Sequence, residues 1–144
     1  DGNLTFSTYL VKRRSGKLEF GPLWDFDLSL GAVTDEGCDN PVGWRVRPAP
    51  WYTRLFEDPV FAQKVKSRWN ALMQQGQIRG LLDHIDRRAT ELNQAQVSNF
   101  NRWPVFDLYV YNNRVNPGSY EGEIQVMKAW FVQRIDWMDA EINR

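Results

Sequence analysis

The sequence predicts an α+β fold that is mostly helical, in which an N-terminal β-hairpin and one further short strand pack on three main helices. Two patterns indicate this fold. Apolar stretches separated by turn residues occupy residues 1–31, whereas apolar residues recur at helical spacing over residues 51–144. Between these parts, residues 31–50 hold three Gly and three Pro and show no period. We therefore expect a long loop at residues 32–50.

The hairpin prediction rests on a polar, Gly-containing connection at residues 13–17 between two extended segments. Residues 23–28 follow a Gly-Pro turn and predict a short strand, in which side chains alternate between two faces. The apolar residues that we expect to pack against the helices are Tyr9, Val11, Trp24 and Phe26.

Residues 50–56 predict a short helix. Asp58 and Pro59 supply an N-cap and a first-turn proline for a second helix, which we expect to end at Gly76. An apolar stripe over residues 78–100 predicts one long helix, and a second stripe over residues 124–142 predicts the last helix. Apolar residues at helical spacing also include Trp69 of the second helix and Trp130 and Trp137 of the last helix, so we expect these tryptophans in the core.

The composition excludes several functional classes. The 144 residues include 18 basic and 18 acidic side chains, and this zero balance argues against nucleic acid as a main partner. No apolar run approaches the roughly 20 residues of a membrane span. Cys38 and His84 are single residues of their type, so an intrachain disulfide and a zinc site of paired histidines are excluded. Carboxylates must therefore supply most of any chemistry, and His84 is interpreted as a boundary or surface residue.

The beginning of the chain suggests that it is part of a longer protein. Residues 1–3 contain neither an initiator methionine nor the basic and apolar segments of a signal peptide. We therefore expect the chain to be a cut piece.

Asp25 and Asp27 form the most informative pair of residues. On a strand they would share one face, with a Cα separation of about 6.5 Å, backed by aromatic neighbours on the other face. Two carboxylates on one face suit a hard cation such as Mg²⁺, which assists phosphoryl transfer by neutralising phosphate charge. A structural interpretation stays open, in which Asp27 caps the turn at residues 28–30.

The aromatic content of 14% leaves a second class of function open. Trp44, Trp51 and Trp103 fall outside the helical stripes and would suit a cleft for sugar rings, as in a carbohydrate-binding module. The acidic loop residues offer a further, weaker alternative, a Ca²⁺ site without the spacing of a known loop. These residues are Asp35, Glu36, Asp39 and Asn40.

The aspartate segment also resembles a known family. Residues 20–31 (FGPLWDFDLSLG) are similar to a block of the CotH kinase family, the spore-coat-protein-H-like proteins. Further similarities follow in order along nearly the whole chain. They are residues 7–12 (STYLVK), 16–18 (GKL), 51–61 (WYTRLFEDPVF), 66–69 (KSRW) and 134–138 (RIDWM).

This resemblance implies an atypical protein-kinase-like fold and the transfer of a phosphoryl group from ATP to Ser residues of secreted or coat proteins, with Mg²⁺ or Mn²⁺. By the same resemblance, Asp25 is the first candidate metal ligand, Asp27 the second, and Asp1 the candidate catalytic aspartate. The implied location is the bacterial cell surface, the spore coat or the extracellular space.

The chain also departs from a complete kinase. It contains no Gly-x-Gly cover for phosphates and no context for the lysine that pairs with a glutamate in the smaller lobe. We therefore expect the back part of a catalytic lobe that does not bind ATP tightly by itself. A non-catalytic structural module of a bacterial surface or coat protein is the alternative.

Overall fold

A computed structural model describes residues 7–34, 37–110, 113 and 115–144 of the chain. Within these ranges, two short antiparallel strands precede five helices, which confirms a mostly helical α+β fold with an N-terminal hairpin. In chain order the elements are β1 (Leu10–Lys12), β2 (Leu18–Phe20), α1 (Pro50–Phe56), α2 (Pro59–Gln74), α3 (Gly80–Glu91), α4 (Asn93–Arg102) and α5 (Tyr120–Asn143).

The hairpin contacts the helices differently from the prediction. Leu10 pairs with Phe20 in the β1–β2 ladder, and the Phe20 ring stacks on Tyr52 of α1 with the ring centroids 5.9 Å apart. Burial raises the pKa of Tyr52. Tyr9 and Val11 were expected to face the helices, but about half of each side chain is exposed. That prediction is wrong, because so short a ladder reaches α1 only through its last residue.

The basic connection of the hairpin lies in solvent. Residues 13–17 are exposed, and the turn is closed by a 3.2 Å hydrogen bond from the Gly16 amide to the Arg13 carbonyl. Three of these five residues are basic. The tip of the hairpin is therefore a projecting, positively charged turn.

Helices α1 and α2 begin and end where their capping residues predict. Pro50 and Pro59 occupy the first turns, where the missing N–H has no intrahelical partner to lose. The Asp58 carboxylate accepts a 2.8 Å hydrogen bond from the Val60 amide and so caps α2. Gly76 follows the end of α2 with a φ of +69°, the left-handed conformation that glycine favours after a helix.

The long helix predicted over residues 78–100 is two helices. Helix α3 ends at Glu91 and α4 begins at Asn93, with Leu92 between them. The Leu92 amide donates to both Arg88 and Thr90, so the last turn of α3 tightens before α4 starts. The apolar stripe crosses this single residue, which is why it predicts one helix. His84 is exposed on α3, as predicted.

Helix α5 is the element on which α2 and α3 pack. Its Ile135 is 1% exposed, and Trp69 of α2 is 9% exposed and donates a 2.8 Å hydrogen bond to the Asp139 carboxylate. Lys128 bonds both carboxylate oxygens of Asp86 on α3, at 2.6 and 2.7 Å. The core prediction is confirmed for Trp69, whereas the other two predicted tryptophans, on α5, are only half-buried.

A membrane-spanning segment is absent from the helices of the described residues, because none of them is long and apolar enough to cross a bilayer.

The cap of α2 provides a test of this part of the fold. Asp58→Ala removes the acceptor for the Val60 amide, so we expect the free energy of unfolding to fall by about 1 kcal/mol. Asp58→Asn retains a capping oxygen and should cost much less. Urea denaturation followed by circular dichroism measures both, and equal losses in the two variants would contradict the capping role.

Candidate functional site

The segment around the two aspartates is not a strand. Residues 21–26 have no regular secondary structure and residues 27–32 form turns. Asp25 has a φ of +64°, in the left-handed region, which interrupts the alternation of a strand. The predicted face shared by Asp25 and Asp27, and its Cα separation, therefore do not apply. Trp24, Phe26 and Leu28 are 57%, 50% and 47% exposed, so the expected apolar backing is also wrong.

Ser7 fixes the position of Asp25. Its hydroxyl donates a 2.8 Å hydrogen bond to the Asp25 Oδ2 atom, and both residues have a positive φ. The base of the hairpin brings them together, because the Gly21 amide donates a 2.6 Å hydrogen bond to the Tyr9 carbonyl. A Cβ atom at position 21 would lie 2.8 Å from the Tyr9 Cβ, so only glycine fits this closure.

The bond from Ser7 leaves most of the Asp25 carboxylate available. The residue is exposed, and its Oδ1 atom accepts no hydrogen bond from the described part of the chain. A carboxylate has about four acceptor positions, of which Ser7 uses one. Sequence analysis missed Ser7, since nothing in a lone serine eighteen positions away indicates this contact.

Asp27 lies at the start of the turn that follows. The turn is closed by the backbone, through a 3.1 Å hydrogen bond from the Ser29 amide to the Phe26 carbonyl. Among the residues that the structure describes, none donates a hydrogen bond to the Asp27 carboxylate. The interpretation of Asp27 as a cap for residues 28–30 is therefore wrong.

A cavity of about 360 Å³ lies beside Asp27. Phe26 and Leu30 form one wall, and Ile124 and Met127 of α5 form another. An isolated antiparallel bridge between Val33 and Asn113 brings the chain around Val115 to the same cavity. The cavity is mainly apolar, so a charge at its rim interacts more strongly than the same charge in bulk water.

The turn after Asp27 is anchored on Trp130 of α5. Gly31 is buried with a φ of +78°, and a Cβ atom added there would lie 2.4 Å from the Trp130 Cδ1 atom. The preceding Leu30 is also left-handed, with a φ of +58°. The chain thus reverses sharply against an indole ring, which fixes where the Asp27 turn meets α5.

The same face of α5 holds the loop that follows. Trp130 donates its indole N–H to the Asp39 carbonyl at 2.7 Å. Arg134 donates to the carbonyls of Pro41 and Gly43 at 2.9 and 2.6 Å. Burial, followed by the nearby Arg45 charge, lowers the pKa of Arg134. Trp130 and Arg134, one helical turn apart on the same face of α5, therefore position both the turn after Asp27 and the loop that follows it.

Most of the other acidic candidates lie in parts of the chain that the structure does not describe. Asp1, the candidate catalytic residue, lies outside the described residues, as do Asp35 and Glu36 of the possible Ca²⁺ site. In the described ranges there is no cluster of three or more residues of metal-ligating type. The residue types of Asp25 and Asp27 suit Mg²⁺, since this ion commonly takes one or two carboxylates and completes its coordination with phosphate oxygens and water. Glu123 of α5 also lines the cavity beside Asp27.

The tryptophans proposed for a sugar cleft are dispersed. Trp44 packs edge-on against Trp137 at 5.1 Å, whereas Trp51 on α1 and Trp103 after α4 are 53% and 60% exposed. The guanidinium of Arg102 covers Trp103 at 5.2 Å from its ring centroid. The carbohydrate-binding hypothesis therefore stays a prediction.

Comparison with known families identifies the chain over nearly its whole length. The family model described as CotH kinase protein matches residues 1–138. The chain belongs to the CotH kinase family. No curated protein and no solved structure matches it significantly. The matched range contains both aspartates, and it also contains the two residues of α5, Trp130 and Arg134, that anchor the surrounding loops.

The contact between Gly31 and Trp130 can be tested against a second glycine of the CotH chain. Gly31→Ala places a methyl group in steric overlap with the indole of Trp130, so we expect the free energy of unfolding to fall by about 3 kcal/mol or more. Gly76→Ala imposes the same left-handed strain in open space and should cost about 1 kcal/mol. Urea denaturation compares the two, and equal losses would show that Trp130 adds nothing.

Proposed function

We propose that this chain forms the metal-binding part of a CotH-type kinase site, in which Asp25 and Asp27 hold Mg²⁺ or Mn²⁺ for phosphoryl transfer from ATP to a protein serine. The observation that supports it most is the Asp25 carboxylate, which Ser7 holds in place while the rest of it stays exposed. Asp27 lies two residues away at the rim of a cavity. The family match supports the reaction class.

Each residue has a distinct task in this proposal. The bound cation would neutralise the negative charge of the nucleotide phosphates. Asp25 and Asp27 supply its protein oxygens, and Ser7 restricts the rotation of the Asp25 side chain. Asp1 orients the substrate hydroxyl and accepts its proton as the serine oxygen bonds to the γ-phosphorus and the bond to ADP breaks.

The whole chain then corresponds to part of a kinase-like C-lobe within a CotH domain. The hairpin and aspartate segment occupy residues 1–31, the loop residues 32–50 and the helical part residues 51–144. The partners of the complete protein are ATP and a protein substrate at the bacterial surface, in the spore coat or outside the cell. This chain alone is expected to bind ATP weakly, since it has no glycine-rich cover for the phosphates.

Metal binding is the first test. Mn²⁺ titration of the chain, followed by electron paramagnetic resonance of the free ion, should show a site that Asp25→Asn weakens about tenfold or more. Ser7→Ala should weaken it less, because the carboxylate remains but is no longer fixed. Asp107→Asn is the matched control, an exposed aspartate outside the candidate site. Equal Mn²⁺ affinity in the wild type and Asp25→Asn would contradict the proposed ligand.

Phosphoryl transfer is the second test. In the full-length natural protein that contains these residues, Asp25→Asn should lower the incorporation of phosphate from labelled ATP by about 100-fold or more, since a charge at the reacting phosphates is lost. Asp107→Asn should leave the rate unchanged. If Asp25→Asn and the wild type incorporate equal amounts, the catalytic role is wrong and a structural module is favoured.

A further inference from the structure

A second surface with the properties of a binding site lies where α1, α2 and the end of α5 meet. Two open cavities, of about 290 and 420 Å³, adjoin there and share Trp44, Arg47 and Phe56 as lining residues. The smaller cavity extends to Lys66 and Ile142, and the larger one to Thr53. We call this surface the Arg47 groove, because Arg47 lies where the two cavities join.

The Arg47 guanidinium lies over two aromatic rings. Its central carbon lies 5.2 Å from the centroid of Trp44 and 4.4 Å from that of Phe56. A cation over an aromatic ring is attracted by the electron-rich ring face, but this contact does not satisfy the N–H donors of the guanidinium. Within the described part of the chain, no carboxylate pairs with Arg47. The guanidinium is therefore restrained by two aromatic contacts and keeps N–H donors that an anion can accept from.

The other charges of the groove leave a positive excess. Lys66 donates a 2.9 Å hydrogen bond to the Asn143 carbonyl, which uses one of its three donors. Arg144 is paired with Glu141 at 2.8 Å, and Glu57, at the far side, is paired with Arg54. The positive charges of Arg47 and Lys66 therefore have no acidic partner among the described residues, although the whole chain has a net charge of zero.

We propose that the Arg47 groove binds a phosphorylated side chain of an extended polypeptide, with Arg47 and Lys66 contacting the phosphate oxygens. A phosphate monoester carries about −1.5 to −2 charges at pH 7 and three acceptor oxygens, which matches two cations better than a single carboxylate does. Two adjoining open cavities with aromatic and aliphatic walls suit an extended chain that lies across both. An enclosed pocket would suit a free small molecule.

The groove is distinct from the aspartate site. Met127 of α5 lines the cavity beside Asp27, whereas Ile142 lines the Arg47 groove. These residues are separated by about 22 Å along the helix axis, at about 1.5 Å per residue. Peptide binding can therefore be measured without phosphoryl transfer, and it stands or fails separately from the proposed kinase activity. Only the further step, that the kinase recognises substrates that are already phosphorylated, rests on the proposed function.

Fluorescence anisotropy with three labelled peptides tests the proposal. The peptides share the sequence Ala-Leu-Gly-X-Gly-Leu-Ala, in which X is phosphoserine, serine or glutamate. We expect the phosphoserine peptide to bind this chain at least about tenfold more tightly than the other two. Lys66→Ala should weaken its binding about tenfold. Arg68→Ala removes an exposed positive charge from the same helix that lines neither cavity, so it is the matched control and should leave the affinity unchanged.

Arg47 is tested with a second pair of variants. Arg47→Lys retains the charge but loses the planar fork, and Arg47→Gln loses both, so the affinity should fall in that order. Circular dichroism checks that each variant is folded. If the Arg47 variants do not fold, the effect of Lys66→Ala on peptide affinity still tests the site. Equal binding of the phosphoserine and serine peptides, or an unchanged affinity in Lys66→Ala, would overturn the site. If the glutamate peptide binds as tightly as the phosphoserine peptide, the groove does not select phosphate. If inorganic phosphate displaces the phosphoserine peptide at an equal concentration, the polypeptide contributes nothing to binding.

Discussion

The contact between Gly31 and the indole ring of Trp130 determines how the N-terminal part of the chain meets its helices. Gly31 ends the turn that begins at Asp27, and it lies so close to Trp130 that a methyl group would not fit. The same indole donates its N–H to the Asp39 carbonyl, so one side chain of α5 holds the chain on both sides of residue 34. The hairpin itself contacts the helices through little more than Phe20 and Tyr52. The location of both aspartates therefore depends on α5.

Helix α5 is in turn fixed by polar contacts placed around a small core. Trp69 and Asp139 join it to α2, and Lys128 and Asp86 join it to α3. Ile135 between them is 1% exposed. Because each partner is held by at least one directional bond, the register of α5 against its neighbours is defined more sharply than apolar packing alone would define it. This register carries through to Trp130 and Arg134, one helical turn apart.

Local signals predicted much of this fold. Asp58, Pro59 and Gly76 mark the limits of α2, because each acts through the backbone within a few residues of its own position. The hairpin follows from the polar connection at residues 13–17 for the same reason. The strand around Asp25 was wrong because its left-handed backbone depends on Ser7 and on the closure of the hairpin, which are contacts distant in sequence. A pattern of alternating residues contains no information about such contacts.

The candidate site shows the same division. The residue types at positions 25 and 27 indicated carboxylate chemistry, whereas their orientation and the cavity beside Asp27 depend on contacts with residues distant in sequence. The stripe on α5 indicated that Trp130 faces the interior but not that its N–H bonds the Asp39 carbonyl. Sequence analysis did not identify Arg47. Its two aromatic neighbours, Trp44 and Phe56, lie on different parts of the chain, and only the fold brings both against its guanidinium.

The exposed basic turn of the hairpin has a practical consequence for handling the protein. Trypsin cleaves after lysine and arginine, and an accessible turn such as residues 13–17 is a preferred place for such nicking. A cut there would separate Ser7 from Asp25 in the covalent chain. Among the described residues, the β1–β2 ladder and the bonds at Gly21 and Ser7 would then hold the two fragments together without a covalent link. A nicked preparation would thus retain its helices while losing the geometry of the first aspartate.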